Sequence, residues 1–157
     1  MTKKILAFAL SLILALCLLA GCSGPSGKNI DGDALYSDLK TISFTDELID
    51  MDMSAIENYY FFDDTGVIEK ARVCKSASGA TAEEIAVVTV KSSSDVESVK
   101  KALEMRVDDL GFNFENYVPT EMDKINKAIV TSSGRTVVLV VTDDLENAQA
   151  IIDKYFK

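Results

Sequence analysis

Acidic side chains come in adjacent pairs along this chain: Asp63-Asp64, Glu83-Glu84, Asp108-Asp109 and Asp143-Asp144. Two carboxylates can hydrolyse a glycosidic bond when they stand about 5 to 10 Å apart across it. Adjacent residues on a strand point to opposite faces, so a sequence neighbour is a poor partner for that work. Asp143-Asp144 stands where a helix N-cap is expected, and Glu83-Glu84 where a strand begins. With 25 acids in the chain, such pairs arise without a shared task. Asp50-Met51-Asp52 and Asp63-Asp64-Thr65-Gly66 raise the question of calcium. A calcium loop spaces its acids at alternate positions around a central glycine. Neither segment carries that whole pattern, and both read as surface turns. No metal site and no cofactor is expected.

The chain has 3 Cys and no His. Cys17 and Cys22 fall in the N-terminal segment, which leaves Cys74 alone in the domain and no intramolecular disulfide. Arg72 and Lys75 close by in sequence would favour a thiolate at Cys74. The plainer reading is a small, buried strand residue. The absence of His removes a Ser-His-Asp triad, a Cys-His pair and a His-ligated zinc from this chain's own chemistry. A glycine-rich phosphate loop, a CxxC and a metalloprotease helix motif are also missing. A pI near 4.5 argues against nucleic acid, whose phosphates select for Lys and Arg clusters.

Binding candidates are few. Tyr59-Tyr60-Phe61-Phe62 is the densest aromatic run, and its four rings cannot all face one core. Tyr59 and Tyr60 are therefore candidates for stacking on a glycan or docking a partner. Arg106 sits one position off the apolar stripe of its helix, placed to snorkel or to pair with Glu83 or Glu84. Tyr117 is a fourth candidate. With Phe114 and Pro119 it is also expected to pin a connection to the sheet.

The elements that must position these residues begin after an N-terminal address. Lys3 and Lys4 precede an apolar run from Ile5 to Leu18, shorter than the roughly 20 residues of a comfortable bilayer span. That is the pattern of a secretory signal peptide. Leu19-Ala20-Gly21-Cys22 then resembles the lipobox of bacterial lipoproteins. The resemblance implies cleavage between Gly21 and Cys22, with a diacylglycerol on the Cys22 sulfur. Residues 1–21 would be removed and residues 22–30 would form a flexible tether, S-G-P-S-G-K-N-I after the cysteine. Such a tether spans about 15 Å as a random coil, which holds the domain near the membrane. Losing Lys3 and Lys4 would make the remaining chain more acidic than the formal −9 of the full sequence.

Residues 31–157 read as one domain. A helix over Asp31–Ile42 carries Ala34, Leu35 and Leu39 inward, capped by Asp31 or Asp33. Ser54 and Glu57 form a capping-box pattern, as do Ser94 and Glu97. Val67–Ser76 and Glu84–Lys91 read as strands, the second apolar enough to be central. Val96, Val99, Leu103, Val107 and Leu110 mark an amphipathic helix that Gly111 should end. A short helix follows Pro119. Ala128–Thr131 and Thr136–Thr142 flank a tight turn at Gly134, and a last helix follows Asp143 or Asp144. The resulting expectation is an α+β, two-layer domain. It has an antiparallel sheet of about four strands with helices packed on one face.

Three blocks occur in order: Gly79-Ala-Thr-Ala-Glu-Glu-Ile-Ala-Val87, Phe114-Glu-Asn-Tyr-Val-Pro-Thr-Glu121, and Gly134 leading into V-V-L-V-V-T-D-D. With the Leu19–Cys22 segment they resemble a family of small bacterial lipoproteins of unknown function, mostly from Gram-positive anaerobes. The resemblance spans residues 32–157 and implies an extracytoplasmic α+β domain on the outer face of the cytoplasmic membrane. It implies no activity. The sequence thus points to a lipid-anchored, non-catalytic domain that binds a protein or cell-wall component near the membrane. A small-solute-binding lipoprotein and a carboxylate-based hydrolase are the alternatives.

Overall fold

Asp31 opens the domain as a helix cap. Its carboxylate accepts from the backbone N–H groups of Asp33 and Ala34, each at 3.1 Å. These coordinates are a computed structural model that describes residues 30–157. The expected signal segment, Gly21, Cys22 and the expected tether, residues 1–29, lie outside the described residues. Helix α1 (Gly32–Leu39) buries Leu35, Tyr36 and Leu39. Strand β1 (Leu48–Asp50) and helix α2 (Met53–Tyr59) follow. Asp52, not Ser54, caps α2 by accepting from the Ala55 amide. The Ser54 hydroxyl instead donates to Asp52, so the expected box with Glu57 does not form.

Strands β2 (Ile68–Ser76) and β3 (Glu84–Val90) pair antiparallel, and helix α3 (Val96–Phe114) follows. Ser92 caps the 3-10 turn before α3 by accepting from the Ser94 amide, and Asp95 stands at the N-cap of α3 without a side-chain bond, so the expected Ser94–Glu97 box does not form. A short α4 (Met122–Asn126) leads to β4 (Ile129–Ser133) and β5 (Thr136–Val141). Gly134 takes φ +57° between these strands, the positive value a two-residue hairpin turn requires. Helix α5 (Leu145–Phe156) closes the chain.

The fold is α+β, with one antiparallel sheet in the order β1-β2-β3-β5-β4. Five strands replace the expected four. The extra one, β1, is a three-residue edge strand with mostly exposed residues, so it carries no alternating pattern to read. The expectation of helices on one face is also corrected. Ala86, Val88, Val90, Val137 and Leu139 pack with Val99, Leu103 and Leu110 of α3 on one side. Ile85, Val87, Val138 and Val140 pack with Leu35 and Leu39 of α1 and with Ile152 of α5 on the other. β3 and β5 are apolar on both sides because both sides are covered. The expected central position of β3 is observed.

Gly111 does not end α3. The helix continues to Phe114, and the Glu115 amide donates to the Gly111 carbonyl. A mid-helix glycine costs about 1 kcal/mol. Packing of Phe114 against the core offsets that cost. No helix among the described residues is long and apolar enough to cross a membrane.

Candidate functional site

Strand geometry separates Glu83 from Glu84, and each organises its own buried cluster. Glu84 takes its place at the head of β3 on the α3 side, on the same face as Ala86 and Val88. Arg106 of α3 reaches it with Nε at 3.1 and 3.3 Å and Nη2 at 2.8 Å. Nη1 of Arg106 donates to Asp109 at 2.6 Å. The Tyr60 hydroxyl donates to Glu84 at 2.5 Å. Arg106, Glu84 and Tyr60 are all buried. Burial first, then the Glu84 charge, push the Tyr60 phenol well above its ordinary value. Burial opposes the Arg106 charge, but the Glu84 carboxylate outweighs it and raises the guanidinium's pKa.

Glu83 accepts from the backbone N–H groups of Thr45 and Asp46 at 2.8 and 2.9 Å and from the Thr81 hydroxyl at 3.0 Å. Lys124 approaches it at 3.3 Å and also meets Glu121 at 3.0 Å and Asp143 at 3.3 Å. Burial alone would raise the Glu83 pKa. The two amides and the Lys124 charge outweigh burial and hold it below the usual carboxylate range. Lys124 is raised for the mirror reason, its three carboxylates outweighing burial.

A cleft of about 200 Å³ opens over these clusters, lined among others by Tyr59, Lys75, Thr81, Arg106 and Asn113. The Tyr59 ring lies against two cations, with Lys75 Nζ at 4.6 Å and Arg106 Cζ at 5.2 Å from its centroid. Two of the four sequence candidates, Tyr59 and Arg106, line this cleft, and Tyr60 bonds to Glu84 beneath it, but the three are in unlike states. Tyr59 is partly exposed, whereas Tyr60 and Arg106 are buried and engaged internally. Tyr60 also stacks on Phe62 at 5.5 Å. Tyr117 stands apart from this cleft, beyond α3, and is 87% exposed. It pins nothing; Phe114 packs inward alone.

The carboxylate-hydrolase alternative needs an acid held protonated near neutrality. Among the described residues, every carboxyl with a displaced pKa is displaced downward, Asp46 and Glu83 included. No group of His, Cys, Asp and Glu suited to a metal ion is found among them. Cys74 is fully buried, and that burial pushes its thiol up, away from a reactive thiolate.

Sequence reasoning missed the second face of α3. A larger groove of about 620 Å³ runs between α3, α4 and β4. Phe112 stands at its side, 78% exposed. The signal was available: Phe112 lies off the Val99–Leu103–Leu110 stripe and so has no place in the core. Lys124 and Tyr36 were also missed. Tyr36 is buried and donates to Asp50 beneath the Lys40 and Arg72 cations. Nothing in the sequence around either residue marks it.

A family model described as a domain of unknown function, DUF4358, matches residues 40–142. The chain matches no curated protein and no solved structure.

Proposed function

The chain belongs to the DUF4358 family, whose function is unknown, and on that premise we propose a membrane-anchored extracytoplasmic lipoprotein that works by binding, not by catalysis. One observation carries the binding half. The buried charges of the domain are consumed by one another, while its large apolar side chains at α3 and just beyond it are left in solvent. Arg106, Glu84, Glu83 and Lys124 all have internal partners. Phe112, Tyr117 and Met105 are exposed. Met105 and Phe112, seven residues apart, share one face of α3, and exposed apolar patches mark interaction surfaces. The partner is a protein or cell-wall component. A small solute is the second reading, favoured by the Tyr59–Lys75 cleft.

The anchoring half is supported by the Lys3–Lys4 start, the short apolar run and Leu19-Ala-Gly-Cys22. Two acyl chains on Cys22 would hold the chain stably at the bilayer, where one would not. Cys22→Ala should abolish incorporation of labelled fatty acid and leave the precursor uncut at Gly21. Continued lipid labelling of that variant would sink the anchoring half.

A further inference from the structure

From the charge and shape of the groove along α3 we infer that it takes a basic, extended peptide segment of a partner protein, added as a strand beside β4. This rests on the binding reading above and names the partner's chemistry. Val107, Met122 and Val130 line the groove, with Phe112 at its side. Glu104, Asp108 and Glu115 rim it, and no Lys or Arg lines it. All three acids are exposed. Of the three, only Glu104 has an ion pair among the described residues, a loose one to Lys100 at 3.8 Å. An acidic rim around an apolar floor selects a cationic, apolar-bearing occupant. It also disfavours a second copy of this acidic chain, which would bring the same three acids to the interface.

The groove adjoins a free sheet edge. β4 is the outermost strand beyond β5, and no other backbone group among the described residues bonds to it. Its residues Ile129–Ser133 include no charge and no proline, the usual guards of an edge. Half of its peptide groups therefore point outward, ready for an added strand. Val130 shares the α3 face of the sheet, since it pairs with Leu139. A strand laid beside it would set every second side chain over the groove. Glu104 and Glu115 lie about 16 Å apart at about 1.5 Å per helical residue. Two lysines four positions apart on a strand lie about 13 Å apart, within reach of both acids once their side chains extend. An apolar residue midway between those lysines would face the floor.

The test uses the full chain in detergent micelles. The probes are labelled Thr-Lys-Thr-Val-Thr-Lys-Thr and its charge reverse Thr-Glu-Thr-Val-Thr-Glu-Thr, read by fluorescence anisotropy and by amide exchange. The lysine peptide should bind tighter by on the order of tenfold at low salt, and added salt should narrow the gap. It should slow exchange of amides within Ile129–Ser133. The double variant Glu104→Lys, Glu115→Lys, at exposed positions, should reverse the preference. Phe112→Ala should weaken both peptides and leave the salt response in place. Equal binding of the two peptides, an unchanged preference in the double variant, or unprotected β4 amides would each overturn the proposal. So would protection of β4 by self-association without peptide. Equal binding of the two peptides would sink this proposal and leave the binding reading standing, whereas binding of neither would sink both.

Discussion

Arg106 illustrates how a candidate binding cation can be committed elsewhere. Its guanidinium grips Glu84 through two nitrogens and Asp109 through a third, in a site with almost no solvent. Removing it strands a buried carboxylate with only the Tyr60 hydroxyl. Arg106→Ala should therefore destabilise the fold by about 3–5 kcal/mol in urea titrations. Arg106→Lys should recover only part of that loss, since an ammonium cannot reproduce the planar fork. A loss below about 1 kcal/mol would mean the cluster is not buried as described. Asp46 sets the acid response. The hydroxyls of Ser76 and Ser78, then the Ser78 amide, hold its carboxyl down at about 2 from an ordinary 3.8. A folded value below the unfolded one adds stability above pH 3.8, and that stability drains away as pH falls through about 2. Glu83 acts in the same direction. Urea midpoints should fall steadily across that acid range, and Asp46→Asn should flatten the fall. An equally steep fall in the variant would remove Asp46 from the account.

At the scale of elements, local signals set the ends of helices where a single side chain decides them. Asp31 caps α1 as its position implied, and Asp31→Ala should cost about 1 kcal/mol in thermal or urea unfolding. No measurable change would show that α1 is held by packing alone. The hairpin of β4 and β5, the central strands and the long helix were all legible, because their apolar periods run long enough to average out exceptions. What escaped was decided by tertiary contact. β1 is a strand only because Leu48 and Asp50 meet Ser76 and Cys74. α3 outlasts Gly111 only because Phe114 finds the core. The second helical layer was implicit in the unbroken apolar run of β5, which a one-sided sheet would not need. At the site, pairing of Arg106 with Glu84 was one of the three roles its place on the helix allowed. The Lys124 cluster was not, because a lysine beside Ile125 looks like any solvated residue. The groove was not, because a groove belongs to three elements at once.

On the scale of the whole molecule the fold has two ends. A Cβ on Gly32 would lie 3.1 Å from Thr89 Oγ1, so the chain enters the domain beside the late half of β3. Glu83, Glu84, Lys124 and the start of β4 lie at the opposite end of the sheet, about 17 Å along β3 at about 3.3 Å per residue. An anchor at Cys22 would turn the entry end toward the bilayer and offer the groove outward. The most direct check is site-specific photocrosslinking in living cells, with the reactive group placed at Phe112 or at Lys91 of the anchored chain. The account predicts protein adducts carrying a basic segment from position 112 in the membrane fraction, and none of these from position 91. The same adducts from both positions, or adducts from 112 that persist undiminished after Glu104→Lys and Glu115→Lys, would contradict it.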